Sequence, residues 1–135
     1  MSYKIEEIEG IGPSTAKKLA TAKIMSTEDL LEQCANPAGR KAVAETTGIG
    51  ESQVLKLTNM ADLMRVKGVG GEFAELLKNS GVDTVKELAT RNAQNLAAKM
   101  AEVNEEKKLT RTTPSASEVE KWVAGAKELP PRLTY

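Results

Sequence analysis

The sequence predicts an all-α fold with no sheet, organised as two pseudo-repeats, and three observations carry that expectation. A twelve-residue phrase recurs: Ile8-Glu9-Gly10-Ile11-Gly12-Pro13-Ser14-Thr15-Ala16-Lys17-Lys18-Leu19 matches Val66-Lys67-Gly68-Val69-Gly70-Gly71-Glu72-Phe73-Ala74-Glu75-Leu76-Leu77, with Gly10 and Gly68 standing 58 positions apart. The apolar residues between such phrases follow helical spacing, and no segment alternates as a strand would. Aromatic residues are only 3% of the chain while hydrophobic residues reach 40%, so the core must be Leu, Ile, Val, Ala and Met, a palette suited to helix-on-helix packing.

The elements follow in order. Ala16, Leu19, Ala20 and Ile24 fall on one helix face behind Pro13, which suits a first-turn position. Thr27-Glu28-Asp29-Leu30-Leu31 reads as a short second helix with a Ser or Thr cap, and Asn36-Pro37 opens a third that runs to about Thr46. A longer helix from Glu51 to about Val66 carries Val54, Leu57, Ala61 and Met64 and joins the halves. Residues 71–79, 84–90 and 92–103 repeat the scheme, with Gly81 as a helix-ending glycine. The last helix shows the stripe Val119, Trp122, Val123, Ala126 and Leu129. Near their ends the halves align at a larger offset, Val54 with Val119 and Leu57 with Trp122. The extra residues are therefore placed in 104–117, a polar stretch with Pro114 that reads as a long loop. Residues 1–62 form the first repeat and 63–135 the second, together one compact unit.

Composition narrows the function classes. At 135 residues the chain can bury a real core. Its formal net charge is zero, so whole-chain attraction to a polyanion is absent. Residues 1–62 hold seven basic and nine acidic side chains, and residues 63–135 hold twelve and ten. The single cysteine, Cys34, excludes an intrachain disulfide, and with no histidine anywhere the usual zinc sites are excluded too. Cys34 reads as a small buried side chain without a base to activate it. No apolar run reaches the ~18 residues of a membrane span and the start shows no signal-peptide stretch, so a cytoplasmic location is expected. Without a histidine, an acid pair flanking a cleft, or a phosphate-binding loop ending in Gly-Lys-Ser or Gly-Lys-Thr, no enzyme, cofactor or metal is expected.

The Gly-apolar-Gly core occurs three times, at Gly10–Gly12, Gly48–Gly50 and Gly68–Gly70. By position a fourth should lie within 104–117, but no glycine stands there. Two glycines permit a sharp turn and a close approach to a ligand, and the residue between them (Ile11, Ile49 or Val69) pins the turn into the core. The next helix then begins with free amides at the positive end of its dipole, which is an anion site. The first hairpin suits phosphate best: Gly10, Ile11, Gly12, Ser14, Thr15, Lys17 and Lys18 form the leading candidate site, although Glu6, Glu7 and Glu9 precede it. The second has Glu51 directly after Gly50. The third offers Arg65 and Lys67 with Gly68, Val69 and Gly70, but Glu72 and Glu75 follow. The plain alternative is that these glycines only make tight turns. Lys107, Lys108 and Arg111 form a small basic cluster in the long loop, where a solvated loop is the bland reading.

The pattern apolar-x-Gly-apolar-Gly-x-x-x-Ala-x-x-Leu resembles the helix-hairpin-helix motif, so each pseudo-repeat resembles a double helix-hairpin-helix unit. The resemblance implies hairpins that grip duplex phosphates through backbone amides, contacts that position a protein without reading sequence. Over nearly the whole chain the sequence is similar to a family of small bacterial proteins, DUF4332, a domain of unknown function. The phrases that carry this are Ile8-Glu9-Gly10-Ile11-Gly12-Pro13, Ala61-Asp62-Leu63-Met64-Arg65-Val66-Lys67-Gly68-Val69-Gly70, Gly81-Val82-Asp83-Thr84-Val85 and Val119-Glu120-Lys121-Trp122-Val123. One departure is Lys23, which stands where the second half has Gly81, so that turn is expected to be built differently. Two readings remain: a non-enzymatic protein that binds duplex DNA weakly through its hairpins, or a scaffold module with a protein partner.

Overall fold

The structure, a computed structural model, describes residues 2–135. After a short 3-10 turn at Ile5–Glu7 come eight α-helices: α1 (Pro13–Thr21), α2 (Thr27–Gln33), α3 (Pro37–Thr47), α4 (Glu51–Leu63), α5 (Gly71–Asn79), α6 (Val85–Leu88), α7 (Ala93–Lys107) and α8 (Ala116–Lys127). Extended pairing among the described residues is limited to one isolated antiparallel bridge, Lys4 with Ser26. No helix among them is long and apolar enough to cross a membrane.

The all-helical class agrees with the sequence, while several boundaries differ. The helix carrying Leu19 stops at Thr21, so Ile24 lies beyond it. The joining helix ends at Leu63 and not near Val66, and the 84–90 segment shrinks to four residues with Thr84 as its cap. Conversely α7 continues to Lys107, which reduces the long loop to residues 108–115. Leu129 lies past the end of α8, half-buried against the core.

Corresponding helices start at matching places: Gly12 and Gly70 precede α1 and α5, and Ser26 and Thr84 cap α2 and α6, each pair 58 positions apart. The turns between them also correspond, which corrects the expectation for Lys23. Gly81 ends α5 with φ +93°; Gly81 N–H reaches Lys78 O at 3.1 Å and Val82 N–H reaches Leu77 O at 2.9 Å. Lys23 ends α1 the same way at φ +62°, with Lys23 N–H to Ala20 O at 2.9 Å and Ile24 N–H to Leu19 O at 3.0 Å. Ile24 and Val82 are both fully buried, the apolar contact that accompanies this left-handed stop. Packing therefore holds a lysine where backbone sterics favour glycine.

One core runs through both halves. α4 lies against α2, α3 and α5, while α8 lies against α6 and α7. Buried residues of α4 (Val54, Leu57, Thr58, Met60, Ala61, Asp62, Leu63) therefore encircle it near its C-terminal end. Asp62 is part of this joint: its carboxylate accepts from Val85 N–H at 2.8 Å and from Arg65 Nη1 at 2.8 Å, fastening α4 to the start of α6. In the 108–115 connection, Asn104 replaces a hairpin with side-chain bonds. Its oxygen accepts from Thr110 N–H at 2.9 Å, and its amide donates to Thr110 O and Thr113 Oγ1, each at 3.2 Å. The chain after α8 returns across the first half. Arg132 Nη1 bonds both oxygens of Glu28 at 2.9 Å, Thr134 N–H reaches Ala35 O at 2.8 Å, and Tyr135 Oη reaches Asn59 Oδ1 at 2.9 Å.

Three variants check this account by denaturant titration. Lys23→Gly should raise stability by roughly 0.5–1 kcal/mol and Gly81→Ala should lower it by about 1 kcal/mol, since the same left-handed stop is relieved in one and strained in the other. Asn104→Ala should cost about 2–3 kcal/mol, because the buried Thr110 backbone groups lose their partners.

Candidate functional site

The first hairpin is a four-residue turn closed by Ile11 N–H to Ile8 O at 3.2 Å, with Gly10 at φ +93° in its third position. Ile8 and Ile11 are buried, so the turn is held from beneath. Gly12 follows in extended backbone and caps α1. The first return bond of α1 is Ala16 N–H to Gly12 O, and Pro13 has no N–H, so Ser14 and Thr15 carry the free amides. Ser14, Lys17 and Lys18 are exposed around them and Thr15 is half-buried. The third hairpin has the same construction: Val69 N–H to Val66 O at 3.0 Å, Gly68 at φ +92°, and Gly70 capping α5. The second differs on entry, where Gly48 at φ +78° ends α3 with its N–H on Ala44 O before Gly50 caps α4.

Helix starts in this protein fall into two groups. α2, α3, α6, α7 and α8 are each closed by a side-chain oxygen, from Ser26, Asn36, Thr84, Asn92 and Ser115 in turn. α1, α4 and α5, the three helices that follow a Gly-apolar-Gly core, have glycine at the cap and no side-chain bond. Relative to glycine, a Ser, Thr or Asn in that place would contribute roughly a few tenths of a kcal/mol. Glycine instead leaves the amides uncovered.

Two cavities lie along the first hairpin, one shared with α4 and one with the third hairpin. Gly10 shares a cavity of about 430 Å³ with Ser52, Gln53 and Lys56 of α4, and with Glu9. Glu9 also borders a second cavity of about 630 Å³, between the first hairpin's approach and the third hairpin, lined by Glu6, Glu7, Gly68, Gly70, Glu72 and Arg111 among others. A Cβ added at Gly71 would collide with the Glu7 carbonyl, so this glycine is required by the close approach of the two hairpins. Among the described residues no group of His, Cys, Asp and Glu could hold a metal ion.

Individual candidates fare differently. Lys67 is exposed beside Gly68. Arg65 is not available to a phosphate: its side chain is 9% exposed, paired with Asp62, and its Nη2 donates to Pro130 O at 2.7 Å, a correction to its place in the interface. Ile11 and Val69 are buried pins, so only their backbone could meet a ligand. The basic cluster formed by the end of α7 and the 108–115 connection is dispersed. Lys107 Nζ donates to Asn79 Oδ1 at 3.0 Å, Lys108 takes a left-handed backbone at φ +53°, and Arg111 faces the glutamate-lined cavity. Lys56, absent from the sequence candidates, lies beside Gly10, and together with partial burial its ammonium pushes the pKa of Lys78 below the usual lysine value. Cys34 is buried, and that burial raises its thiol pKa, which makes it a poor nucleophile.

The family model described as a domain of unknown function, DUF4332, matches residues 9–129. No curated protein and no solved structure matches the chain.

Two neighbouring glycines separate a steric requirement from a tolerated one. Gly71→Ala should cost about 1–3 kcal/mol, because backbone must move to admit the methyl group. Gly70→Ala, with nothing within 4 Å of where the new methyl group would stand and a negative φ, should cost less than about 1 kcal/mol. Thermal unfolding of both variants side by side measures the difference.

Proposed function

This chain belongs to the DUF4332 family, and we propose that it is a non-enzymatic module that binds duplex nucleic acid weakly and without sequence preference through its first hairpin. The observation that supports the reading is the division of helix starts: five are closed by side chains, and the three behind glycine hairpins are left open. Leaving the amides uncovered costs little with glycine at the cap and keeps them free to donate to an anion. At the first hairpin the free amides of Ser14 and Thr15, the Ser14 hydroxyl and the exposed Lys17 and Lys18 supply donors and charge on one short turn of helix. These groups can meet phosphate oxygens, and such contacts carry no base readout.

A second reading has its own observation. The cavity beside the third hairpin is bordered by Glu6, Glu7, Glu9 and Glu72 against the single cation Arg111, a surface that repels phosphate. That charge favours a protein-interaction module over a nucleic-acid clamp made of both hairpins.

Fluorescence anisotropy of a labelled duplex of ~20 base pairs decides between them. Neutralising two or three phosphates should make affinity fall roughly tenfold to fortyfold as salt rises from about 50 to about 200 mM. Gly12→Glu should abolish binding without unfolding the protein, since space around Gly12 is open. Lys17→Glu with Lys18→Glu should do the same. No binding at the lower salt would refute the nucleic-acid reading and leave the scaffold reading.

A further inference from the structure

One face of α8 meets the third hairpin across open space. Glu118, Lys121, Trp122 and Gly125 stand at helical spacing, and with Val66, Lys67 and Gly68 they line a cavity of about 530 Å³. Trp122 is only 4% exposed, and its ring is held against Phe73 with the two centroids 5.1 Å apart. The indole edge that carries Nε1 lies against Gly68, where a Cβ would stand 3.0 Å from the nitrogen. This N–H donates to no acceptor among the described residues. Every wholly enclosed side-chain nitrogen or oxygen among them has a partner, so the indole N–H is not sealed in the core and keeps contact with solvent on the cavity side. A buried tryptophan ordinarily gives that proton to a fixed acceptor.

Two cations border the same cavity. Lys67 and Lys121 are exposed, and neither ammonium has a hydrogen bond or ion pair among the described residues. Glu118 is the acid in this lining, and its Oε1 is engaged in the capping box, accepting from Ser115 N–H at 3.2 Å and Ser115 Oγ–H at 3.4 Å. Two lysines against one glutamate give the lining a formal charge of +1. Val66 is buried in the wall, and Gly125 adds no side chain to it. Gly125 stands inside α8, where glycine weakens a helix relative to alanine. No close contact demands it, since a Cβ there would meet Val66 Cγ1 at an ordinary 3.7 Å. Its missing side chain keeps the cavity open.

We propose that this cavity binds a small organic carboxylate with an apolar tail. The carboxylate accepts from Trp122 Nε1–H, Lys67 and Lys121 supply the counter-charge, and the tail lies along Val66 in the space that Gly125 leaves. The volume falls within the roughly 300–1,000 Å³ usual for small-molecule sites, which are mostly apolar with a few placed polar groups. A lining of formal charge +1 with a single fixed donor matches a monoanion. A phosphate dianion would bring more charge and more acceptors than this wall can meet beside Glu118. The site is separate from Lys17 and Lys18 and stands whether or not the first hairpin binds duplex. The competing role for Trp122 is core filling alone, with its N–H left to water.

The test is an NMR titration of the full-length, 15N-labelled protein with sodium hexanoate at constant ionic strength, read at the indole N–H. Trp122 is the only tryptophan in the chain, so this proton gives one assigned signal. Saturable downfield movement is expected with hexanoate. It is not expected with 1-hexanol, which has the tail without the charge, or with inorganic phosphate, which has the charge without the tail. Lys67→Ala with Lys121→Ala should weaken hexanoate binding roughly fivefold. Gly125→Leu, which fills the cavity, should abolish the shift, and leucine is the better helix former at that position. Lys17→Glu with Lys18→Glu should leave the shift intact, whatever that variant does to duplex binding. An indole signal that ignores hexanoate, an equal response to hexanol or phosphate, an affinity unchanged in the lysine variant or in Gly125→Leu, or a response lost with Lys17 and Lys18 would each overturn the proposal. Lys67 and Lys121 are exposed, so their double variant decides the matter even if Gly125→Leu fails to fold.

Discussion

Each hairpin depends on a single buried side chain between two glycines. Ile11, Ile49 and Val69 are 8%, 6% and 0% exposed, and burying a side chain of that size is worth about 1.5–3 kcal/mol. That burial fixes the turn from inside, while the glycine before it takes the left-handed backbone that lets the chain double back. The glycine after it is extended and has no side chain to fold over the next helix start. The arrangement therefore does two things together: it anchors the connection and leaves the following amides pointing away from the core. Much of the rest follows, including the direction in which α1, α4 and α5 leave their turns, and the approach of α5 to the Glu7 backbone that only Gly71 permits.

Identical backbone does not make identical sites, because side-chain charge outweighs the helix terminus. An open helix start carries roughly half an elementary charge, so one nearby carboxylate cancels it. At the third hairpin four glutamates share a cavity with one arginine, and Arg65 is withdrawn into its pair with Asp62. At the second, Glu51 stands on the first turn while Arg40 is held by the carbonyls of Cys34 and Thr134. At the first, Glu6 and Glu7 precede the turn, Glu9 stands within it and the lysines follow it, with Lys56 added from α4. The three hairpins share a scaffold and differ in what their neighbours allow them to hold.

Local chemistry makes much of this legible in the sequence. Residues 71–79 are readable as a helix because Gly70 and Gly81 bound them, and Ser26, Thr84 and Asn36 announce caps by type. The pairing of Arg65 is also readable, since Asp62 stands three residues earlier on a helical stretch. Other features depend on distant contacts. Lysine gives no sign of a left-handed backbone, so Lys23 conceals the stop that Gly81 displays, and Ile24 reads as part of a helix face although its burial comes from the turn. Asn104 reads as the start of a polar loop; it is buried because Thr110 and Thr113 meet all of its side-chain bonding needs. Arg132 and Glu28 stand 104 positions apart, and no pattern within residues 130–135 points to α2.

The central claim is that the uncovered amides behind the first hairpin meet phosphate. A 15N NMR titration of the protein with a short unlabelled duplex at low salt tests it most directly, because it reports each amide separately. The account predicts saturable shifts centred on Gly12, Ser14 and Thr15 that fade as salt is raised. Shifts confined to the 108–115 connection, or none in any amide, would contradict it.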